Sequence, residues 1–298
     1  MLSNFKNNVH DQFIKQSFKN IKLLNTQTIP KNTDIYGKSS LVLITGGASG
    51  LGLELAINLA NRKVNVIIVD VSYPKKNLFP REYLHFYNCD ISNLKEVQLL
   101  RKNILIDLGP ITILINNAGI TSISPLVKTD NKQIKRVMDV NYLGAYIMAQ
   151  VFLPDISRAK VGGIVNVASI LGMITPARLC AYGASKSGLI FLHESLTYQL
   201  EKNNLVKDNQ RNIKTLLVCP GKIKTAMFER VETPSKILAP DIDPKQLANL
   251  IISKLQENGT NVLMAPYYTN FIPLFKILDW PYIQMLKRVS GMNDVTNI

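Results

Sequence analysis

The sequence predicts an α/β protein with a single parallel, doubly wound sheet and helices on both faces. Apolar runs of strand length alternate with helical patterns along most of the 298 residues, and this alternation is typical of a parallel sheet. A glycine-rich turn joins the first predicted strand to the first predicted helix, and an acidic residue ends the second strand. With 46% apolar residues, the chain can bury the core that such a sheet requires.

The first element is the stretch 41–52, LVLITGGASGLG, in which a strand breaks into a glycine-rich turn before a helix. This order opens a dinucleotide-binding βαβ unit, whose helix N-terminus faces phosphates. We expect Gly46 to permit the tight turn, Gly50 to admit a pyrophosphate to the backbone, and Gly52 to let the helix pack close to the strand. A turn without a ligand is the alternative, because glycines also serve ordinary turns. The candidate cofactor-binding residues here are Thr45, Gly46, Ser49, Gly50, Leu51 and Gly52.

A second strand over residues 64–69 ends at Asp70. A carboxylate at this position accepts hydrogen bonds from the adenosine ribose and repels the 2′-phosphate of NADP, so the sequence favours NAD. A loop aspartate that caps a turn is the alternative interpretation, and Lys75 and Lys76 keep NADP open. A third strand, 84–88, is followed by Asp90, which we expect to reach the adenine.

The middle of the chain continues the alternation. Helix 93–108 leads to a strand at 111–115 that stops at an Asn-Asn-Ala-Gly sequence. From that sequence we take Asn117, Ala118 and Gly119 as cofactor-binding candidates. Helix 130–156 follows, with Asn141 in its middle. An asparagine lowers helix propensity there and usually points to solvent, but its neighbours indicate a tightly packed stretch.

The last third of the domain repeats the pattern. A strand over residues 163–168 ends at Ser169, and a helix is predicted over 182–202. Asp243 as N-cap and Pro244 at the first helical position mark the start of a later helix. The remaining predictions are a strand at 214–218 before Pro220 and Gly221, a helix at 244–257 and a strand at 261–264.

Tyr182 and Lys186 lie four residues apart at a predicted helix start, so they share one face. Tyrosine has a pKa of about 10 and is a poor acid–base group at neutral pH. A neighbouring ammonium, with the positive nicotinamide of an oxidised cofactor, would lower that pKa. Ser169 ends a neighbouring parallel strand and is expected at the same sheet edge. Taken singly, the three residues are better explained as a capping serine, a surface tyrosine and a solvated lysine.

Six elements in order resemble the pattern of the short-chain dehydrogenase/reductase family, over about residues 39–265. The resemblance implies a Rossmann fold and an NAD(P)-dependent oxidoreductase that interconverts an alcohol and its ketone or aldehyde. The elements are Thr45-Gly46-x-x-x-Gly50-x-Gly52, Asn116-Asn117-Ala118-Gly119, Asn141, Ser169, Tyr182-x-x-x-Lys186 and Pro220-Gly221-x-x-x-Thr225.

The resemblance also implies a role for each matching residue. Tyr182 would be the general acid–base, Lys186 would lower its pKa and bind the nicotinamide ribose, and Ser169 would hold the substrate oxygen. Asn141 would position a water that continues the proton path from Lys186. On the cofactor, Asn117 would support the adenosine side and Thr225 would contact the carboxamide, with Pro220 and Gly221 beside it.

A narrower resemblance is to the membrane-associated branch that acts on hydroxysteroids, retinoids and long-chain alcohols. It implies an apolar alcohol or carbonyl substrate, and the family at large implies a homo-oligomer. Two rivals to an active enzyme are a catalytically silent nucleotide-binding scaffold and a structural protein of a lipid surface. We expect Asn141, Ser169, Tyr182 and Lys186, which are all intact, to argue against the scaffold.

The two ends of the chain differ from the domain between them. Residues 1–38 form an extension and linker, and 1–24 read as a basic amphipathic helix that is surface-bound, a mitochondrial transit peptide or packed on the domain. Residues 266–298 form an apolar extension, in which aromatics mixed with lysines suit a membrane interface, a pocket cap or a subunit contact. We predict that the protein binds peripherally to the cytoplasmic face of the endoplasmic reticulum or of a lipid droplet, or that it is cytosolic. A mitochondrial location is the less favoured alternative.

Charge and residue usage exclude several other classes. The net charge of +14 comes with scattered lysines and no arginine-rich run, so nucleic acid is not the expected partner. Three cysteines without C-x-x-C spacing and three histidines predict neither disulfides nor a metal site, and they favour a reducing compartment.

Overall fold

The computed structural model describes the greater part of the chain, and the described residues belong to one compact unit. The predicted helix within residues 1–24, Lys75 and Lys76 lie outside them. The described ranges are 35–37, 39–74, 82–202, 212–229, 231, 239–257 and 262–289.

Seven parallel strands form one sheet in the order β3-β2-β1-β4-β5-β6-β7, which confirms the predicted fold class. The strand order reverses beside β1, between β2 and β4. Ligands of doubly wound folds bind at the carboxyl ends of the strands at such a reversal. The strands are β1 Leu41–Thr45, β2 Asn65–Asp70, β3 Leu84–Asn88, β4 Ile113–Asn116, β5 Val161–Val167, β6 Asn212–Pro220 and β7 Val262–Ala265.

Helices cover both faces of the sheet because successive strand residues point to opposite sides. In β1, Val42 and Ile44 join a core with α1 and α6, whereas Leu41 and Leu43 join a core with α2, α4 and α5. The helices are α1 Gly50–Asn61, α2 Leu94–Asp107, α3 Asn131–Met138, α4 Ala145–Ile156, α5 Cys180–Lys202, α6 Pro244–Gln256 and α7 Trp280–Val289.

The predicted helix over residues 130–156 is helical over its length, but it is not α-helical throughout. A π-helical segment, Asp139–Gly144, separates α3 from α4 and contains Asn141. The segment packs closely on its surroundings, since a Cβ at Gly144 would lie 2.8 Å from the Ile91 side chain. The sequence pattern does not reveal this interruption, because it inserts only a local widening into an otherwise regular helix.

Other boundaries differ from the predicted ones by a few residues. β2 includes Asp70, β4 begins at Ile113, and β5 begins at Val161 and ends before Ala168. After β7 the chain forms a 3₁₀ segment, Tyr267–Ile277, and then α7. Among the described residues, no helix has both the length and the apolar character needed to span a bilayer.

Candidate active site

The glycine-rich turn at the end of β1 has the backbone geometry that its sequence predicts. Gly46 and Gly50 adopt φ angles of +64° and +52°, which disfavour a residue with a side chain. A Cβ on Gly46 would lie 2.7 Å from the Cα atom of Ala118. The turn therefore fits closely against the loop that follows β4.

Gly50 and Gly52 also leave space for neighbouring groups, in addition to their predicted roles. A Cβ on Gly50 would lie 3.3 Å from Cγ2 of Thr225, so the loop after β6 approaches the turn. A Cβ on Gly52 would collide with the carbonyl oxygen of Gly46 and lie 2.6 Å from Nδ2 of Asn117. Gly52 thus leaves room for the turn itself and for Asn117, rather than only for the strand.

Thr45 and Asn117 join the turn to the loop after β4. The buried Thr45 Oγ1 accepts hydrogen bonds from the backbone N–H groups of Asn117 and Ala118, both at 3.1 Å. Asn117 Nδ2 donates to the carbonyl oxygens of Thr45 and Gly46 at 3.0 and 3.1 Å. These bonds hold the two loops of the strand-order reversal in fixed positions.

Two carboxylates stand along the adjoining strand ends. Asp70 accepts hydrogen bonds from the backbone N–H groups of Ala48 at 3.1 Å and Ser72 at 3.0 Å. Asp90 forms an ion pair with Arg136 at 2.9 Å. Burial alone would raise the pKa of Asp90, but hydrogen bonds from Ser92 and the Arg136 guanidinium outweigh it and lower that pKa. Both side chains line the cleft and are held in place by these hydrogen bonds.

Ser169, Tyr182 and Lys186 meet at the carboxyl end of β5. Ser169 Oγ caps a short 3₁₀ turn by accepting from the backbone N–H of Leu171 at 3.1 Å. Lys186 Nζ donates to the carbonyl oxygen of Val167 at 2.8 Å and lies 5.9 Å from the centroid of the Tyr182 ring. All three side chains are at most 5% exposed.

The pKa values of this cluster differ from what the spacing suggests. Burial raises the pKa of Tyr182, and the hydrogen bond from Ser169 offsets only part of this increase. Burial also lowers the pKa of Lys186, to about 8. Because burial raises the pKa of Tyr182, the chain's own residues keep this tyrosine in its phenol form at neutral pH.

Asn141 connects the π-helical segment to the loop after β4. Its Oδ1 accepts from the backbone N–H of Ile120 at 2.8 Å, and its Nδ2 donates to the Ile120 carbonyl and to Ser185 Oγ, both at 2.9 Å. A Cβ on Gly119 would lie 3.4 Å from both Asn141 Oδ1 and Lys186 Nζ. The side chain is thus buried, and both its oxygen and its nitrogen are bound to protein groups.

Ser185 and a buried polar chain are missed by the sequence analysis. Ser185 Oγ donates to the Tyr182 carbonyl at 2.7 Å and accepts from Asn141. Asn116 Nδ2 donates to Asn166 Oδ1 at 2.9 Å, and Asn166 Nδ2 lies 3.1 Å from His193 Nδ1. The available signal is one asparagine inside each of two apolar strands.

His193 is a neutral imidazole within this chain of hydrogen bonds. Burial lowers the pKa of His193 to about 4. His193 Nδ1 lies within hydrogen-bond distance of Asn166 Nδ2, and among the described residues His193 Nε2 is buried without a partner. The chain ties the sheet to α5, the helix that carries Tyr182 and Lys186.

A cleft of about 360 Å³ collects the predicted residues. Every candidate from the sequence lines it except Thr45, Gly52 and Asn141, which lie behind its wall. The cleft has a glycine turn and an aspartate at one end and the tyrosine–lysine pair at the other, and this arrangement fits a nicotinamide dinucleotide. Among the described residues, no cluster of histidine, cysteine or acidic side chains could hold a metal ion.

Comparisons with known proteins agree with this geometry. Residues 40–236 match the family model of short chain dehydrogenases. The uncharacterized oxidoreductase YDL114W of Saccharomyces cerevisiae is 46% identical over 267 residues, covering 89% of this chain and 86% of that protein. Estradiol 17-beta-dehydrogenase 11 of Homo sapiens is 27% identical, covering 83% of this chain and 82% of its own length.

A solved structure has the same fold. The crystal structure of a short chain dehydrogenase from Burkholderia cenocepacia in complex with NADP matches 87% of this chain and 99% of its own. The TM-score is 0.69 at 24% sequence identity. From the family model and the yeast relative it follows that this chain belongs to the short chain dehydrogenase family.

Proposed function

We propose that the chain is an NAD(P)-dependent oxidoreductase that interconverts an apolar alcohol and its ketone or aldehyde, with NAD as the favoured cofactor. One observation carries the proposal. Ser169, Tyr182 and Lys186 meet in the same cleft as the glycine-rich turn and Asp70. In a carbonyl group placed between the tyrosine and a bound nicotinamide, the oxygen would receive a proton from Tyr182. The carbon would receive the hydride, which the nicotinamide supplies.

The side chains have hydrogen-bonding capacity left for this reaction. Ser169 Oγ accepts from the backbone N–H of Leu171 and hydrogen-bonds to Tyr182. A substrate oxygen between Ser169 and Tyr182 would accept the serine proton in place of the tyrosine oxygen. Lys186 Nζ uses one N–H for Val167 and has two further donors, which suit the hydroxyl groups of a ribose.

Tyr182 is the proton-transfer group. In carbonyl reduction its phenol donates the proton that the substrate oxygen needs, and burial keeps that proton in place before the reaction. Alcohol oxidation requires the deprotonated form, which additional positive charge beside the ring would favour. The lysine with its lowered pKa stands next to the tyrosine and can pass the proton onward.

Asp70 supports NAD over NADP. Two backbone N–H groups orient the carboxylate at the end of β2, and each oxygen keeps a lone pair for a ribose hydroxyl. The same charge repels a 2′-phosphate. Lys224 also lines the cleft, so the preference is a balance of one carboxylate against nearby cations.

The substrate side of the cleft supports an apolar alcohol. Tyr182, Met227 and Phe228 line the cleft, and the Tyr182 ring meets the Phe228 ring edge-on at 5.6 Å between centroids. Leu179 and Val231 pack in the same hydrophobic cluster without lining the cleft. Burial of a hydrocarbon against an apolar wall lowers the free energy of binding. The hydroxyl groups of a sugar would lose hydrogen bonds to water there without replacing them. The name of the human relative, an estradiol dehydrogenase, points to the same substrate class.

A substrate screen tests the proposal. Purified full-length protein is assayed with NAD and NADP against steroid and long-chain secondary alcohols, their ketones, and a matched panel of polyols, by nicotinamide absorbance. We expect turnover on apolar members and none on polyols. Binding of NAD without turnover on any member would instead identify a silent nucleotide-binding scaffold.

A further inference from the structure

The segment after β7 leaves its large apolar side chains in solvent. Nine of them are exposed, from 40% at Leu278 to 79% at Ile277 and Val289. No residue of α7 is buried. Nine large exposed apolar side chains within 23 consecutive residues are more typical of an interaction site than of a solvent-facing surface. The nine are Tyr267, Phe271, Leu274, Ile277, Leu278, Trp280, Tyr282, Met285 and Val289.

Helix α7 keeps three large apolar side chains on its outward face. Its face toward the body is mixed: Trp280 and Ile283 lie beside the polar Gln284 and Lys287, and Lys287 Nζ donates to the carbonyl oxygen of Thr175 at 2.5 Å. Its outward face presents Tyr282, Met285 and Val289. Helices on a globular core normally place apolar residues inward and polar ones outward. The apolar face of α7 is therefore arranged for a partner outside the domain.

The charges of the segment indicate an anionic partner. Residues 266–289 contain three basic residues, Lys276, Lys287 and Arg288, against one acidic residue, Asp279. Lys287 faces the body of the domain, whereas Arg288 is exposed. The whole chain carries a net charge of +14. A second copy of the chain would bring the same excess of positive charge to the contact, and this repulsion disfavours self-association through this surface.

We propose that residues 267–289 form a docking surface for a lipid bilayer that contains anionic lipids. Tryptophan and tyrosine beside basic residues match the composition of the membrane interface, where rings sit at the headgroup level and cations meet anionic lipids. The 10 residues of α7 are too few to span a bilayer, which needs roughly 20, so α7 lies along the surface.

A groove links this surface to the loop that precedes Tyr182. It has a volume of about 840 Å³ and lies between α7 and residues 173–177, with Met173, Ile174 and Ile283 among its lining. Trp280 belongs both to the groove lining and to the exposed surface. An apolar alcohol dissolved in the membrane would enter the domain through this groove. This route for the substrate rests on the proposed function, whereas the docking of the segment to the bilayer does not.

Vesicle flotation tests the docking without any enzymatic assay. Full-length protein is mixed with vesicles of phosphatidylcholine and phosphatidylserine, and compared with the triple variant Phe271→Ser, Ile277→Ser, Trp280→Ser. We expect the triple variant to bind at least about tenfold more weakly, because each change removes a large apolar side chain from the interface.

A matched control carries three serine substitutions at similarly exposed apolar positions elsewhere. Leu99, Ile106 and Val127 are 58%, 73% and 91% exposed, against 58%, 79% and 71% for Phe271, Ile277 and Trp280. The control should float like the wild-type protein. Absence of flotation by the wild-type protein, or equal flotation of both triple variants, would overturn the proposal.

Trp280 provides a local readout because it is the only tryptophan of the chain. Its fluorescence should shift to the blue when vesicles are added, and brominated lipids should quench it. Flotation with an unshifted, unquenched Trp280 would mean that another part of the chain binds the vesicles, which overturns this assignment. A vesicle-independent shift that grows with protein concentration would identify a contact between copies and overturn it as well.

Discussion

The carboxyl edge of the sheet and the C-terminal segment depart from ordinary burial in opposite directions. At the edge, Asn141 and Lys186 are polar, yet they are 0% and 3% exposed. In the C-terminal segment, Ile277 and Trp280 are apolar, yet they are 79% and 71% exposed. Buried polar groups and clustered exposed apolar groups both cost free energy in an isolated domain. Each departure therefore indicates that the side chains serve something besides folding.

The two regions differ in where their partners lie. At the edge the polar side chains are held by protein groups, since Asn141 binds Ile120 and Ser185, and Lys186 binds the Val167 carbonyl. Such a site is held in its working geometry before any ligand arrives. In the C-terminal segment, by contrast, the outward side chains Tyr282, Met285 and Val289 are 58%, 58% and 79% exposed. Substitutions at the edge should therefore affect rate and stability, whereas those in the segment should affect association.

The largest effect is expected for Tyr182→Phe. Removing the proton-transfer hydroxyl should lower turnover by about 10²–10⁴-fold and leave cofactor binding nearly unchanged. In contrast, Ile277→Ser should keep wild-type turnover with a substrate presented in solution. Steady-state rates and cofactor titrations measure both. More than about a tenth of wild-type turnover in the tyrosine variant would contradict its role.

A smaller effect, on stability, is expected for Asn141→Ala. The change leaves the N–H and C=O groups of Ile120 without their partner inside the protein, so the free energy of unfolding should fall by about 1–3 kcal/mol. Phe271→Ser, at an exposed site, should stay within about 0.5 kcal/mol. Urea denaturation compares the two. Equal losses of unfolding free energy in the two variants would show that Asn141 contributes no more to stability than an exposed residue of the C-terminal segment.

The pH dependence of stability separates the regions further. The folded pKa of Lys186 is about 8 and its ordinary value is 10.5, so between these values the unfolded chain binds more protons than the folded one. Wild-type stability should therefore rise with pH in this window relative to Lys186→Met, by up to about 1.4 kcal/mol per pH unit.

The matched variant for this measurement is Arg288→Met, which removes a cation from the exposed segment. Its difference from the wild-type protein should be small and the same at every pH. Denaturation curves at several pH values supply the comparison. A Lys186→Met curve parallel to the wild-type curve would show that the lysine is not desolvated.

The smallest effect expected is on cofactor choice. Asp70→Ala removes both the ribose acceptor and the repulsion of a 2′-phosphate, so the NAD-to-NADP affinity ratio should fall by about tenfold or more. Titration of both cofactors into both proteins measures the ratio. A wild-type preference for NADP would show that nearby cations outweigh the carboxylate.

The sequence by itself determined the features that depend on short-range geometry. Alternating strands and helices predict the parallel sheet, and the β1 pattern places a glycine turn at the strand-order reversal. Tyr182 and Lys186 share a helix face because residues four apart always do. The position of Asp70 at the end of β2 follows from the length of one apolar run. Each of these features depends on residues that are close together in the sequence, so it can be recognised without knowledge of the tertiary structure.

Only the tertiary structure decided which distant groups each side chain meets. The π-helical segment directs Asn141 at Ile120, Asn166 joins Asn116 to His193, and Gly52 leaves room for Asn117. The raised pKa of Tyr182 depends on burial by several segments at once. The amphipathic pattern of α7 shows that one face is apolar, but not that this face points outward. Which face is buried depends on contacts such as that of Lys287 with Thr175, 112 residues away, and periodicity carries no information about such contacts.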